Sequence, residues 1–201
     1  MKIMRRNVIA IATLLCMALP AAAYAQFSDS YNFLKAVKDR DGAETMKYIN
    51  KPGSNIIDTQ DSTSGESALH IVTRNRDTTW LGFLLGKGAK PNLRNSKGET
   101  PLIIAAQLGF LDGADLLLKF HASVDLADKD GETPLIIATE RDDVPLVHLL
   151  LHAGADPDKP DFIAGTSART YAQRFTRDPA LAEAFKDIKP GAHRQMQGPS
   201  L

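Results

Sequence analysis

Two histidines, His148 and His152, stand four residues apart in a leucine-rich stretch. On a helix that spacing puts both imidazoles on one face, where two neutral ring nitrogens are able to hold zinc. No HExxH surrounds them, so the ordinary reading is an exposed helix face, and a small metal-binding protein acting through this pair is kept as an alternative. Asp125, Asp128, Asp130 and Gly131 bear some likeness to a calcium loop, but the EF-hand spacing and its closing Glu are absent. No serine lies in G-x-S-x-G and no glycine-rich phosphate loop occurs. The sole cysteine, Cys16, falls in the N-terminal apolar run. The chain is therefore read as no enzyme, with no cofactor and no resident metal.

The elements around these residues are set by a repeat. GETPLIIA occupies residues 98–105 and occurs again at 131–138, 33 residues on. Aligned on Gly65, Gly98 and Gly131, three copies follow without a gap: 65–97, 98–130 and 131–164, the last spacing being one residue longer because Phe162, Ile163 and Ala164 precede Gly165. A fixed period of this length signals stacked units that bury a shared core. In each unit a polar turn ends in a Gly suited to positive φ. Thr100 or Thr133 then caps a helix that opens with Pro101 or Pro134, where a missing N–H costs nothing. The first helix is short and ends near Gln107 and Glu140. Small residues, Ala105-Ala106 and Ala138, let a neighbouring helix approach.

The spacing predicts second helices over Leu111–Lys119 and Val144–His152, carrying Leu116-Leu117-Leu118 and Leu149-Leu150-Leu151. Burying each leucine is worth roughly 1.5–3 kcal/mol, yet a lone helix pair has nothing to bury them against. Trp80 takes the position of Gly113 and Leu146 and reads as packed into the core. The predicted fold is all-α, a solenoid of helix-turn-helix units joined by turn and hairpin loops.

The flanks fit that plan. Residues 26–64 form a linker and a degenerate capping repeat, with Phe33-Leu34-Lys35-Ala36-Val37 and then Met46, Tyr48 and Ile49 at helical spacing. Residues 165–189 form a C-terminal capping repeat, and 190–201 read as a mobile tail. Residues 1–25 have the layout of an export signal: Lys2, Arg5 and Arg6, an apolar run Val8–Leu19, and Ala23-Tyr24-Ala25, after which cleavage is expected. The apolar run is about half of the roughly 20 residues that a spanning helix needs, so no stable membrane insertion is expected after cleavage. Leu14 and Leu15 before Cys16 spoil a lipidation motif, and Arg5-Arg6 leaves the general and twin-arginine export routes both open.

Before cleavage the formal charge is zero, with 24 basic and 24 acidic side chains. Losing Lys2, Arg5 and Arg6 leaves a net charge of about −3, which points away from nucleic acid. It also leaves no cysteine, so the mature chain must hold together by its core alone.

These units resemble the ankyrin repeat, whose pattern runs G-x-T-P-L-H-x-A-A, a second helix with a leucine pair, then G-A-D-V-N. Gly88-Ala89 with Asn92, and Gly154-Ala155-Asp156 with Asp158, match the closing segment. Only His70 keeps the family's usual His; Ile103 and Ile136 stand in its place, and His121 stands where a helix-ending Gly is expected. The resemblance implies a concave face that grips a protein partner through turn tips and first-helix ends. Carried over by position, that face presents Arg94, Ser96, Lys97 and Glu99 from one turn and Ala127, Lys129, Asp130 and Glu132 from the next. Helix ends add Arg74, Asn75, Gln107, Leu108, Glu140 and Arg141. The expectation is a monomeric interaction protein, and the export signal together with the resemblance implies the periplasm of a Gram-negative bacterium. An envelope stress-protective or toxin- or enzyme-neutralising factor would look the same in sequence.

Overall fold

The computed structural model describes residues 21–175 and 178–186, with side chains from Asp29 onward. The tail 190–201, the end of the capping repeat and most of the expected export signal lie outside the described residues. Ten α-helices are described: α1 (Ala21–Lys38), α2 (Gly42–Ile49), α3 (Ala68–Arg74), α4 (Thr78–Gly86), α5 (Pro101–Leu108), α6 (Leu111–Lys119), α7 (Pro134–Glu140), α8 (Val144–His152), α9 (Ala168–Arg174) and α10 (Pro179–Ala184). A 3-10 turn, Ile56–Asp58, follows α2. Helix α1 runs through the expected cleavage point, so removal of residues 1–25 would leave Gln26–Lys38 as its remnant.

The helices pair as successive hairpins and stack in two rows. In the first row α1 packs on α3, α3 on α5, α5 on α7 and α7 on α9; in the second, α4 packs on α6, α6 on α8 and α8 on α10. The all-α solenoid is thus the observed fold, and the described residues contain only two isolated β-bridges, Gln60 with Ser67 and Pro160 with Ser167, at the bases of the first and last hairpin loops.

Local chemistry explains the helix starts. The Thr100 and Thr133 hydroxyls accept from the N–H groups of Ile103 and Ile136, at 3.3 and 3.2 Å. Asp77 and Asp143 do the same for the second helices, accepting from Trp80 and Leu146. Helix α6 lacks such a cap because Phe110 stands in that place. Its buried ring fills the space above Gly113, where an added Cβ would lie 2.2 Å from the ring. Trp80 and Leu146 supply a side chain of their own at that position, and Trp80 packs half-buried against the core, edge-on to Phe83.

His70 is a strut between units. Its ring is fully buried, with Nδ1 accepting from the Ser67 N–H at 3.1 Å and Nε2 lying 3.0 Å from the Glu99 carbonyl of the next repeat. In the next two repeats Ile103 and Ile136 occupy the place with apolar packing.

Adjacent hairpins are joined by two ladders. At the tips, the N–H groups of Ser96, Lys129 and Phe162 donate to the carbonyls of Ser64, Lys97 and Asp130, at 2.9, 3.3 and 2.9 Å. Nearer the second helices, Asp58, Asn92 and Asp125 accept through their side chains from the N–H groups of Lys90, Ser123 and Asp156, at 2.9, 2.8 and 2.9 Å. The tip ladder dictates the repeated glycine. Gly65, Gly98 and Gly131 have φ of 69°, 82° and 85°. Each also lies under the next tip, so that a Cβ there would meet the N of Ser96, Lys129 or Phe162 at 2.7, 3.0 or 2.5 Å.

Two outcomes follow for stability. Gly131→Ala combines left-handed strain with a backbone clash and should lower unfolding free energy by about 1–3 kcal/mol, read as a fall in urea midpoint at unchanged m-value. His121 is exposed and has φ of 63°. Its replacement by Gly should be neutral or stabilising by a few tenths of a kcal/mol in the same titration.

Candidate functional site

Between the tips of the second and third repeats lies a cleft of about 450 Å³. It brings together Ser96, Lys97, Glu99 and Gln107 from one hairpin tip and the helix that follows it with Asp128, Lys129, Asp130 and Glu132 from the next tip. All but Asp128 are among the residues that the sequence places on a binding face. The tip ladder positions them: Lys129 N–H on the Lys97 carbonyl sets the distance between the two turns. The side chains of Ser96, Lys97, Lys129 and Asp130 are exposed, as are Arg74, Asn75, Glu140 and Arg141; Gln107, Leu108 and Glu132 are half-buried.

Three positions are not the open contacts that the sequence leads one to expect. Ala127 is buried, at 6% exposure, and its carbonyl accepts from Arg94 Nη1 at 2.6 Å. Arg94 is exposed but is tied down by that bond, while its own carbonyl accepts from Gln60 at 2.7 Å. Glu99 is also buried, at 6%. Its carboxylate accepts from Asn95 Nδ2 at 2.6 Å and from Gln107 Nε2 at 3.0 Å, and Arg74 stands 3.6 Å away. Burial by itself raises the Glu99 pKa, but hydrogen bonds from Asn95 and Gln107, with the charges of Lys97 and Arg74, more than reverse it and hold it below the usual value. Glu99 is thus a strut of the turn.

The alternative metal site fares as follows. His148 and His152 both lie exposed on α8. Among the described residues, no three His, Cys, Asp or Glu side chains gather to hold an ion. Asp128 is spent on its own turn, accepting from the N–H groups of Asp130 and Glu132, each at 3.0 Å. Among the described residues no helix is long and apolar enough to cross a membrane.

The family model for ankyrin repeats, in three copies, matches residues 69–161. Residues 69–161 of this chain are ankyrin repeats. Over 64 residues it is also 33% identical to the nuclear factor NF-kappa-B p110 subunit of Drosophila melanogaster, a stretch covering 32% of this chain and 6% of that protein. The match thus takes in only a small part of that relative. Ankyrin repeats are a protein-protein interaction module, and the helix pairs described above are its units.

Along the ankyrin repeats one pair of positions changes charge in a regular way. Glu66, Glu99 and Glu132 are equivalent, and so are Arg74, Gln107 and Glu140. In the first repeat Arg74 Nη2 pairs with Glu66 at 2.8 Å; in the second, Gln107 donates to Glu99. In the third, a second carboxylate, Glu140, faces Glu132. Among the described residues neither has an ion-pair partner. Burial raises the Glu132 pKa, and the carboxylates of Glu140, Asp128, Asp130 and Asp161 raise it further. Burial, then Asp161, raises that of Glu140.

Sequence reasoning did not single out the last tip. Phe162 and Ile163 are 74% and 78% exposed, at the ladder position held by Ser96 and Lys129 in the preceding hairpins. The signal was the extra residue before Gly165.

Partial burial and Asp161 hold the folded-state pKa of Glu140 above its unfolded value. Its ionisation costs stability above the folded pKa, and the cost lifts as pH falls toward the unfolded value of about 4.3. Glu140→Gln, which copies the second repeat, should therefore raise the thermal midpoint at pH 7 by about 1–3 °C, an exposed-pair magnitude, and the gain should vanish near pH 4 in a scanning-calorimetry series.

Proposed function

We propose that this ankyrin-repeat protein is exported to the periplasm of a Gram-negative bacterium, where, as a monomer, it binds another protein through its hairpin tips and first-helix ends and catalyses no reaction. The cleft between the second and third repeats carries the reading, because charged side chains from two units converge there on a backbone fixed by the tip ladder. A surface whose backbone is already ordered loses little conformational entropy on binding, so more of the contact energy appears as affinity. The mixture of Lys97 and Lys129 with Asp130 and Glu132 favours a polar, charge-matched protein partner over a nucleic acid. The basic start, apolar run and Ala23-Tyr24-Ala25 support export.

Capture from an envelope fraction tests the surface. The wild-type chain and a Lys97→Glu, Lys129→Glu, Arg141→Glu variant of equal thermal stability are used as bait. A change in recovery of the co-purifying protein, loss for an acidic contact or gain for a basic one, supports this face; equal recovery places binding elsewhere. Intact mass of the periplasmic form should correspond to a chain starting at Gln26, and retention of residues 1–25 would argue against cleaved export.

A further inference from the structure

The exposed apolar tip at Phe162 and Ile163 is built and held in place. The Phe162 N–H donates to the Asp130 carbonyl at 2.9 Å, which fixes the backbone over Gly131. The Asp161 carboxylate accepts from the N–H groups of Ile163, Ala164 and Thr166, at 2.8, 2.5 and 2.9 Å. The bridge between Pro160 and Ser167 closes the loop at its base. Such bracing orders the backbone and leaves two large apolar side chains in solvent, where equivalent tips carry Ser96-Lys97 and Lys129-Asp130. An anchor of this kind, rigid beneath and apolar above, is what interface hot spots are made of.

The surroundings decide the occupant. The Asp130 carbonyl accepts from the tip, Glu132 follows the Gly131 that lies under it, and Glu132 and Glu140 are near enough to the bracing Asp161 for its carboxylate to act on both. Among the described residues none of the Asp130, Glu132 and Glu140 carboxylates has an ion-pair partner. The two earlier repeats meet the same geometry with Arg74 and Gln107. A glutamate in that row forgoes a bond that the scaffold is able to make, and the mismatch is confined to the repeat that adjoins the apolar tip.

We propose that the third repeat and the tip of the last hairpin form a docking patch for a basic segment of a partner protein, one that sets Lys or Arg against Glu132 and Glu140 and an aliphatic or aromatic side chain against Phe162 and Ile163. This deepens the reading of the tip face as the partner-binding surface. The patch selects by two criteria at once, since an apolar segment without cations leaves the carboxylates unmatched and a polybasic one leaves the tip uncovered.

The test uses the full mature chain and three fluorescent peptides of equal length: one of mixed lysine and leucine, one with glutamate replacing lysine, and one with serine replacing leucine. Anisotropy should show the lysine-leucine peptide binding at least tenfold more tightly than either control. Phe162→Ser with Ile163→Ser should weaken it by about tenfold or more. Glu132→Gln with Glu140→Gln should weaken it several-fold and flatten its salt dependence. Phe162 and Ile163 are solvent-exposed and Gln keeps the shape of Glu, so circular dichroism should show both variants folded. Equal binding of the lysine and glutamate peptides, or binding indifferent to all four substitutions, overturns the proposal. If instead Lys97→Glu with Lys129→Glu alone abolishes binding, the patch is refuted while the wider tip face remains the binding surface.

Discussion

One backbone hydrogen bond, made three times, holds the rest of the molecule in order. The N–H of each hairpin tip donates to a carbonyl of the tip before it, and it reaches that carbonyl only because the residue underneath has no side chain. That constraint sets the spacing between units, and through it the spacing of the first helices, whose small and apolar residues then close into the core. The leucines of the second helices follow, burying Leu117, Leu150 and Leu151 while Leu116, Leu118 and Leu149 stay partly covered. Side chains such as Asp128 and Asp161 then brace the tips whose spacing the ladder has set.

The architecture was legible because it depends on what the copies share. Thr at the cap, Pro at the first helical position and Gly under the tip each have a local physical reason, and so helix limits such as Leu111–Lys119 and Val144–His152 could be read from spacing alone. The candidate binding surface was less legible because it depends on what differs. Glu99 and Glu132 look interchangeable in the repeated string, yet Asn95 donates to Glu99 while the equivalent Asp128 has no amide to give. One became an internal strut, the other a partly exposed charge. Ala127 is buried for a related reason, since the period places a residue on a turn without saying which way its side chain faces.

The three repeats are therefore equivalent as building blocks and unequal as surfaces. Moving along the stack, the row of Arg74, Gln107 and Glu140 shifts from paired cation to neutral donor to crowded carboxylate. Local misfit of this sort is common where sequence serves something other than stability. It is gathered here at one end of the array, next to two apolar side chains that the hairpin leaves in solvent.

Gly165 has the same left-handed backbone as Gly65, Gly98 and Gly131, with φ of 62°, but no described residue comes within 4 Å of where its Cβ would be. The space over this glycine is open among the described residues, while the Ala164 carbonyl before it accepts from the Thr166 hydroxyl. A duplicated unit spliced in at this point would find that space open, and the units before it would need no change. Such an array lengthens the way a masonry course does, each block cut to accept the next, and every added block brings one more tip with which to read a partner.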